Sequence, residues 1–187
     1  IGIASNIGQI VEYASRLGIE YLSCLESVEV LTESGYVRLT KAEAVIILDV
    51  AEVGPSYQPG HAHADTLSFE MSLFGRRILV NSGTSTYENS DLRHCQRSTA
   101  SHNTVEIDGR NSSDVWSAFR VAQRAYPFDL KIYDEKAVTT IECSHDGYRR
   151  LGRRCVHTRC WLFRDGVLHV RDQVTGPHKT ARAVWCF

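Results

Sequence analysis

Beyond Leu25 the apolar residues of this chain recur at every second position, and the alternation holds through most of the remaining sequence. A period of two sends successive side chains to opposite faces of an extended backbone, so such a stretch buries one face only as a β-strand. Leu67, Phe69, Met71 and Leu73, alternating with Ser68, Glu70 and Ser72, are the clearest case. Further strands are expected over 28–32, 36–40, 44–50, 77–81, 104–107, 119–125, 138–143, 155–163, 167–172 and 181–185. Turn pairs punctuate many of them: Ser34-Gly35, Asp108-Gly109, Asp165-Gly166 and Gly176-Pro177. About ten short strands joined this way predict a mainly β fold, an antiparallel β-sandwich.

Only the first segment has a helical period. Ile7, Ile10, Val11, Ala14 and Leu17 fall on one face, Asn6 can cap the start with Gln9 three residues on, and Gly18 lies past the end. With 187 residues the chain has the length of one domain and can bury a core of its own. A formal charge of -1 supplies no global field for nucleic acid or an anionic membrane, so attraction for a polyanion has to be local. The longest apolar run, near residues 44–53, is interrupted by Asp49 and Glu52 and is too short to cross a bilayer. No secretory signal is visible at Ile1. The six cysteines match neither a zinc-ribbon nor a redox spacing, and buried thiols are expected rather than disulfides.

Chemistry concentrates in Gly60-His61-Ala62-His63-Ala64-Asp65. If the backbone is extended there, residues 61, 63 and 65 share a face, and two imidazoles and a carboxylate converge. Ser98-Thr99-Ala100-Ser101-His102-Asn103-Thr104 brings a third histidine to the mouth of another strand, and Asn81 ends the strand after the His pair. A zinc site needs three or four N, O or S ligands held by a scaffold, and neutral imidazole is the commonest donor. A polar loop without metal is the plainer alternative. The helical His-Glu-x-x-His spacing of zinc hydrolases is missing near this pair, which argues against that chemistry.

Taken in order, the Gly60–Asp65 motif, Leu67-Ser68-Phe69-Glu70, Leu79-Val80-Asn81-Ser82-Gly83-Thr84, Arg97 to Val105, Asp108-Gly109, Val115-Trp116 and His145-Asp146-Gly147-Tyr148 with Arg150-Leu151 resemble the heparinase II/III-like polysaccharide lyases, a group related to alginate and oligoalginate lyases. The resemblance implies that residues 1–25 are the last helix of an (α/α) toroid. Residues 26–187 would then be the β-sandwich, cut short at its C-terminus, with the substrate cleft between the two units. It implies a structural zinc on His63, Asn81 and His102, with His61 and Tyr87 facing the sugar. Asn81 departs from the aspartate expected there, so either the metal is held more weakly or Asp65 or water completes the shell; alternatively Asp65 orients an imidazole. Bacterial origin and a periplasmic or extracellular site accompany the resemblance.

The implied reaction is β-elimination on a uronic-acid polysaccharide: the C5 proton leaves, the O4 substituent is expelled, and His61 and Tyr87 are the candidate base and acid. Arg97 either holds a substrate carboxylate or braces its loop. His145 and Tyr148 are further substrate-binding candidates, and Trp116 and Phe119 are expected as core rather than as a sugar-stacking surface. Near-neutral charge leans toward an alginate-like or capsular uronate polymer. A carbohydrate-binding module without catalysis is the rival reading. Lacking nearly all of the toroid, the 187 residues are expected to fold but to turn over little or nothing.

Overall fold

The computed structural model describes residues 6–19, 27–135, 137–152 and 154–187. The helix α1 (Ile7–Arg16) carries the expected capping box: the Asn6 side chain accepts the Gln9 N–H, and the Gln9 side chain accepts that of Asn6, each at 3.0 Å. None of its residues is buried, and Ile7, Ile10, Tyr13 and Leu17 are exposed. The expected boundary near residue 25, like Cys24, falls outside the described residues.

Two antiparallel sheets come next. The first is a five-strand meander, β1 (Val28–Leu31), β2 (Tyr36–Lys41), β3 (Ala44–Asp49), β4 (Phe69–Leu73) and β5 (Arg76–Leu79), in that spatial order. After the helix α2 (Asp91–Arg97) come β6 (Val105–Ile107), β7 (Val115–Trp116) and β8 (Arg120–Val121). The second sheet is built from β9 (Pro127–Glu135), β10 (Val138–His145), β11 (Val156–Arg164) and β12 (Val167–Thr175). A last strand, β13 (Ala181–Ala183), pairs with β6, and β7 pairs with β8.

Strict alternation in β3, where Ala44, Ile46 and Leu48 are buried, gives the first sheet one apolar face. That face meets the second sheet in a single core, in which Val37, Leu39, Ile46, Leu48, Leu67, Phe69 and Leu79 pack against Ile141, Cys143 and Trp161. Phe69 and Trp161 meet edge to face at 6.2 Å, a favourable aromatic geometry. This is the β-sandwich the alternation predicts. The Asp165-Gly166 pair turns β11 into β12 with both residues at positive φ, the backbone a two-residue hairpin demands.

Three expectations need correction. Residue 67 does not open β4: Leu67 sits at φ 61°, which ends the extended run, so the strand begins at Phe69. The stretch 119–125 forms only the two-residue strand β8: the chain turns through Ser117 at φ 52° and pairs Arg120 and Val121 with β7, and beyond them Ala122 and Gln123 are backbone-bonded to Asp114. Both α2 and β9 lie where no element was expected. Of the cysteines, Cys143, Cys155 and Cys160 are buried, but Cys95 is exposed. Among the described residues, no helix is long and apolar enough to cross a membrane.

Candidate metal centre and active site

Across 61–66 burial alternates: Ala62, Ala64 and Thr66 are buried, His61 is exposed, and His63 and Asp65 are half-buried, although the chain turns at both ends of the stretch. Its backbone has side chains for partners. Carbonyls of alternate residues are each taken by a side-chain donor: Gly60 by Arg93 at 3.4 Å, Ala62 by Arg97 at 3.0 Å, Ala64 by Thr99 at 2.7 Å and Thr66 by Thr104 at 2.9 Å. A backbone bond to α2 joins in, from the Ala64 N–H to the Arg97 carbonyl at 2.9 Å, and two turn bonds, Ala62 N–H to the Pro59 carbonyl and Ser68 N–H to the Asp65 carbonyl, bend the chain at either end. The rungs come from α2 and the turn after it, the stretch that also delivers His102. Asn103 closes the far end by donating to the Phe69 and Val80 carbonyls and accepting the Cys186 N–H.

This scaffold brings His63 and His102 together, with Nδ1 of one 3.3 Å from Nε2 of the other. Ligand atoms of His63, Asp65 and His102 all lie within 4.8 Å of one another, and among the described residues they are the one such group of His, Cys, Asp or Glu. Burial holds the His63 imidazole down at about 4; Asp65 opposes the shift, while His102, Arg93 and Arg97 add to it. His102 is also brought to about 4 by burial, against a smaller opposing pull from the Gln96 backbone. Both rings are therefore neutral near neutral pH, the state that offers lone pairs to a metal. Burial raises Asp65, with His63 opposing.

The residues fit a zinc ion. Two neutral imidazoles and a carboxylate, with ligand atoms all within 4.8 Å of one another, are a zinc donor set. Asn81, the expected third ligand, turns its side-chain oxygen onto the Gly83 N–H at 2.8 Å and so shapes its own loop. That loop carries Thr84, whose hydroxyl lies 3.3 Å from His63 Nε2.

Beside this group, His61 meets Tyr87 edge to face at 5.5 Å, and both are exposed. Tyr87 is flanked by Phe119, stacked at 6.0 Å, and by the Arg93 guanidinium, 5.4 Å from its ring centre. Arg93 is fully buried; it donates to the Ala118 carbonyl and to Thr84 and comes within 3.4 Å of His63. No sequence signal singled it out, since an arginine in a polar seven-residue helix reads as surface. On the other side, His61, His63 and Asp65 line a cavity of about 980 Å³ with Tyr36, Asp49 and Tyr57. Asp49 is raised by burial and by Asp65, and Tyr36 is pushed to about 12, chiefly by Asp49.

With that geometry in view, the family described as "Heparinase II/III-like, C-terminal" matches residues 25–187. The chain belongs to that family. Among curated proteins, none matches it in sequence. In fold it is similar to the heparan sulfate lyase HepC of Pedobacter heparinus, at 20% identity and a TM-score of 0.65 over 91% of this chain and 25% of that one. A mutant of the same lyase gives a TM-score of 0.66 at 20% identity, over 91% of this chain and 25% of that one. A heparinase III gene product gives 0.65, again at 20% identity over 91% and 25% of the two chains. The chain thus spans about a quarter of the length of these structures.

In this heparinase II/III-like domain several expected substrate contacts are placed elsewhere. Arg97 is 1% exposed and donates only to backbone carbonyls, those of Ala62, Trp116, Ser117 and Arg120, so it braces the loops rather than reaching a sugar. His145 and Tyr148 have no exposed surface. The first bonds His157 at 3.1 Å and the second donates to the Val105 carbonyl at 2.7 Å, so both are packing groups. Trp116 and Phe119, expected in the core, are 52% and 47% exposed; Phe119 stacks on Tyr87, and Trp116 carries the Arg120 guanidinium 5.6 Å from its ring centre.

Proposed function

We propose that this chain supplies the metal-bearing wall of a polysaccharide lyase cleft, acting on a uronic-acid polymer by β-elimination. The reading is carried by one observation: the ligand cluster of His63, Asp65 and His102 adjoins an exposed His61–Tyr87 pair, with Arg93 touching both His63 and Tyr87. The C5 proton of a uronate is weakly acidic, and its removal calls for a base near C5 and an acid near O4. His61 and Tyr87 are exposed, lie one ring contact apart and fill those two roles. Phe119, stacked on Tyr87 at 6.0 Å, extends the pair as an aromatic surface on which a sugar ring stacks.

In this reading His63, Asp65 and His102 hold the zinc, and the anionic ligand is Asp65, because Asn81 is neutral and already engaged by Gly83. Bound there, the metal contributes positive charge and ties the two histidine segments together. In this reading α1 is the last helix of the toroid domain, its apolar face packs on the rest of that domain, and the toroid completes the cleft. Among the described residues the cavity lining includes Glu33, Asp49, Glu52 and Asp65 but no lysine or arginine. That lining suits a sparsely sulfated uronate polymer better than heavily sulfated heparin.

The test is a panel of uronate polymers given to the full-length protein, followed by absorbance of the new C4–C5 double bond. His61→Ala and Tyr87→Phe each lower kcat by about 10²- to 10⁴-fold while leaving the thermal midpoint in place. The isolated 187-residue chain shows no turnover. A binding module would retain polymer affinity in every variant and form no unsaturated product at all, and that outcome would replace the lyase assignment.

A further inference from the structure

We propose that Arg159, fixed by Asp172, is a positioning residue that sets the separation between the His63–Asp65 segment and His102, and through it the metal affinity of the site. The inference rests on the metal-centre reading above. Arg159 lies in the middle of β11 and has no exposed surface. Its Nε and Nη2 donate to the two oxygens of Asp172 at 2.7 and 2.9 Å, the fork-to-fork pairing that only a planar guanidinium makes. The remaining nitrogen, Nη1, donates to the Leu67 carbonyl at 2.9 Å and to the Asn103 carbonyl.

Those two carbonyls decide the matter. Leu67 stands two residues after Asp65, and Asn103 directly follows His102, so one nitrogen atom ties together the two chain segments that deliver the ligands. Leu67 is also held at φ 61°, a left-handed conformation that is unfavourable for a non-glycine residue and persists only where its surroundings enforce it.

The guanidinium cannot drift. Its central carbon lies 5.7 Å from the Phe69 ring centre and 5.9 Å from those of Trp161 and Trp185. Asp172 is pinned from a second side by His157 Nε2 at 2.7 Å. A lysine at 159 keeps the charge but cannot bond the carboxylate and both carbonyls with the same fixed geometry.

Cobalt(II) titration of the full-length protein, read by its ligand-field absorption, tests this. In Arg159→Lys the affinity falls about 10- to 100-fold, the loss typical when a group supporting metal ligands is removed, and the band shape changes. Ile141→Ala, a cavity in the same core, lowers the thermal midpoint without moving the cobalt affinity or the spectrum. If Arg159→Lys fails to accumulate, Asp172→Asn carries the test, with the same weakening expected. Cobalt affinity within about twofold of wild type in the folded variant overturns the positioning role alone. Absence of a cobalt band in the wild type overturns the metal centre and the positioning role with it.

Discussion

Replacing Arg97 separates its two readings, because a loop brace and a substrate clamp fail in different observables. In Arg97→Met three hydrogen bonds are lost at 2.8–3.1 Å, to the carbonyls of Ser117, Ala62 and Arg120. Bonds from a charged donor contribute about 1.5–3 kcal/mol each, so the gross loss is about 5–9 kcal/mol. Part of it is offset. Among the described residues Arg97 makes no ion pair, and burial together with the neighbouring Arg93 lowers its pKa, so removing the buried cation returns several kcal/mol. A net destabilisation of about 3 kcal/mol remains, which for a domain of this size lowers the thermal midpoint by about 6–12 °C. Arg97→Lys does nearly as badly, since one ammonium cannot reach carbonyls on three separate segments. Differential scanning calorimetry measures the effect, and KM for a uronate polymer is determined in parallel. An unchanged midpoint with a raised KM would refute the brace and restore the clamp.

Two other outcomes are expected from the same structure. Burial works to raise Asp134, but hydrogen bonds from Lys41, Ser27 and Thr139 outweigh it and bring the carboxyl from 3.8 down to about 2. A depressed folded pKa stabilises the fold above the unfolded value and loses that effect as pH falls toward about 2. Asp134→Asn should therefore narrow the gap to wild type in urea midpoint between pH about 4 and 2, and a gap independent of pH there would contradict the assignment. Zinc at a hundredfold excess over its dissociation constant adds about 2.7 kcal/mol, or about 5–11 °C in thermal midpoint, and His63→Ala abolishes the gain. Equal shifts in the two proteins would place the ion elsewhere.

Much of the architecture was legible because it rests on local signals. The capping box at Asn6 and Gln9 and the Asp165-Gly166 hairpin both depend on neighbours close in sequence. The features that escaped depend on distant partners. In α2 the buried residues are Arg93 and Arg97 instead of an apolar stripe, so no hydrophobic period marks it. Strand β9 begins at Pro127 and is largely solvated, with Asp129, Lys131, Asp134 and Glu135 along it, which reads as loop. Arg159 and Asp172, by contrast, were within reach: the Asp165-Gly166 turn fixes the register that sets them directly opposite, an opposite-charge pair across a hairpin. His145 and Tyr148 were misread as ligand contacts because sequence alone does not distinguish a histidine bonded inside a sandwich from one offered to a sugar.

Pairing between two strands is written in main-chain amides and is largely indifferent to which residues occupy it. The wall that carries His61 and His63 is registered by arginine, threonine and asparagine side chains, so its placement is encoded one codon at a time. A single substitution in that set moves one carbonyl and the imidazole beside it while leaving both sheets intact. Relatives built on this sandwich can thus diverge in how they seat a substrate without redesigning the fold that supports it.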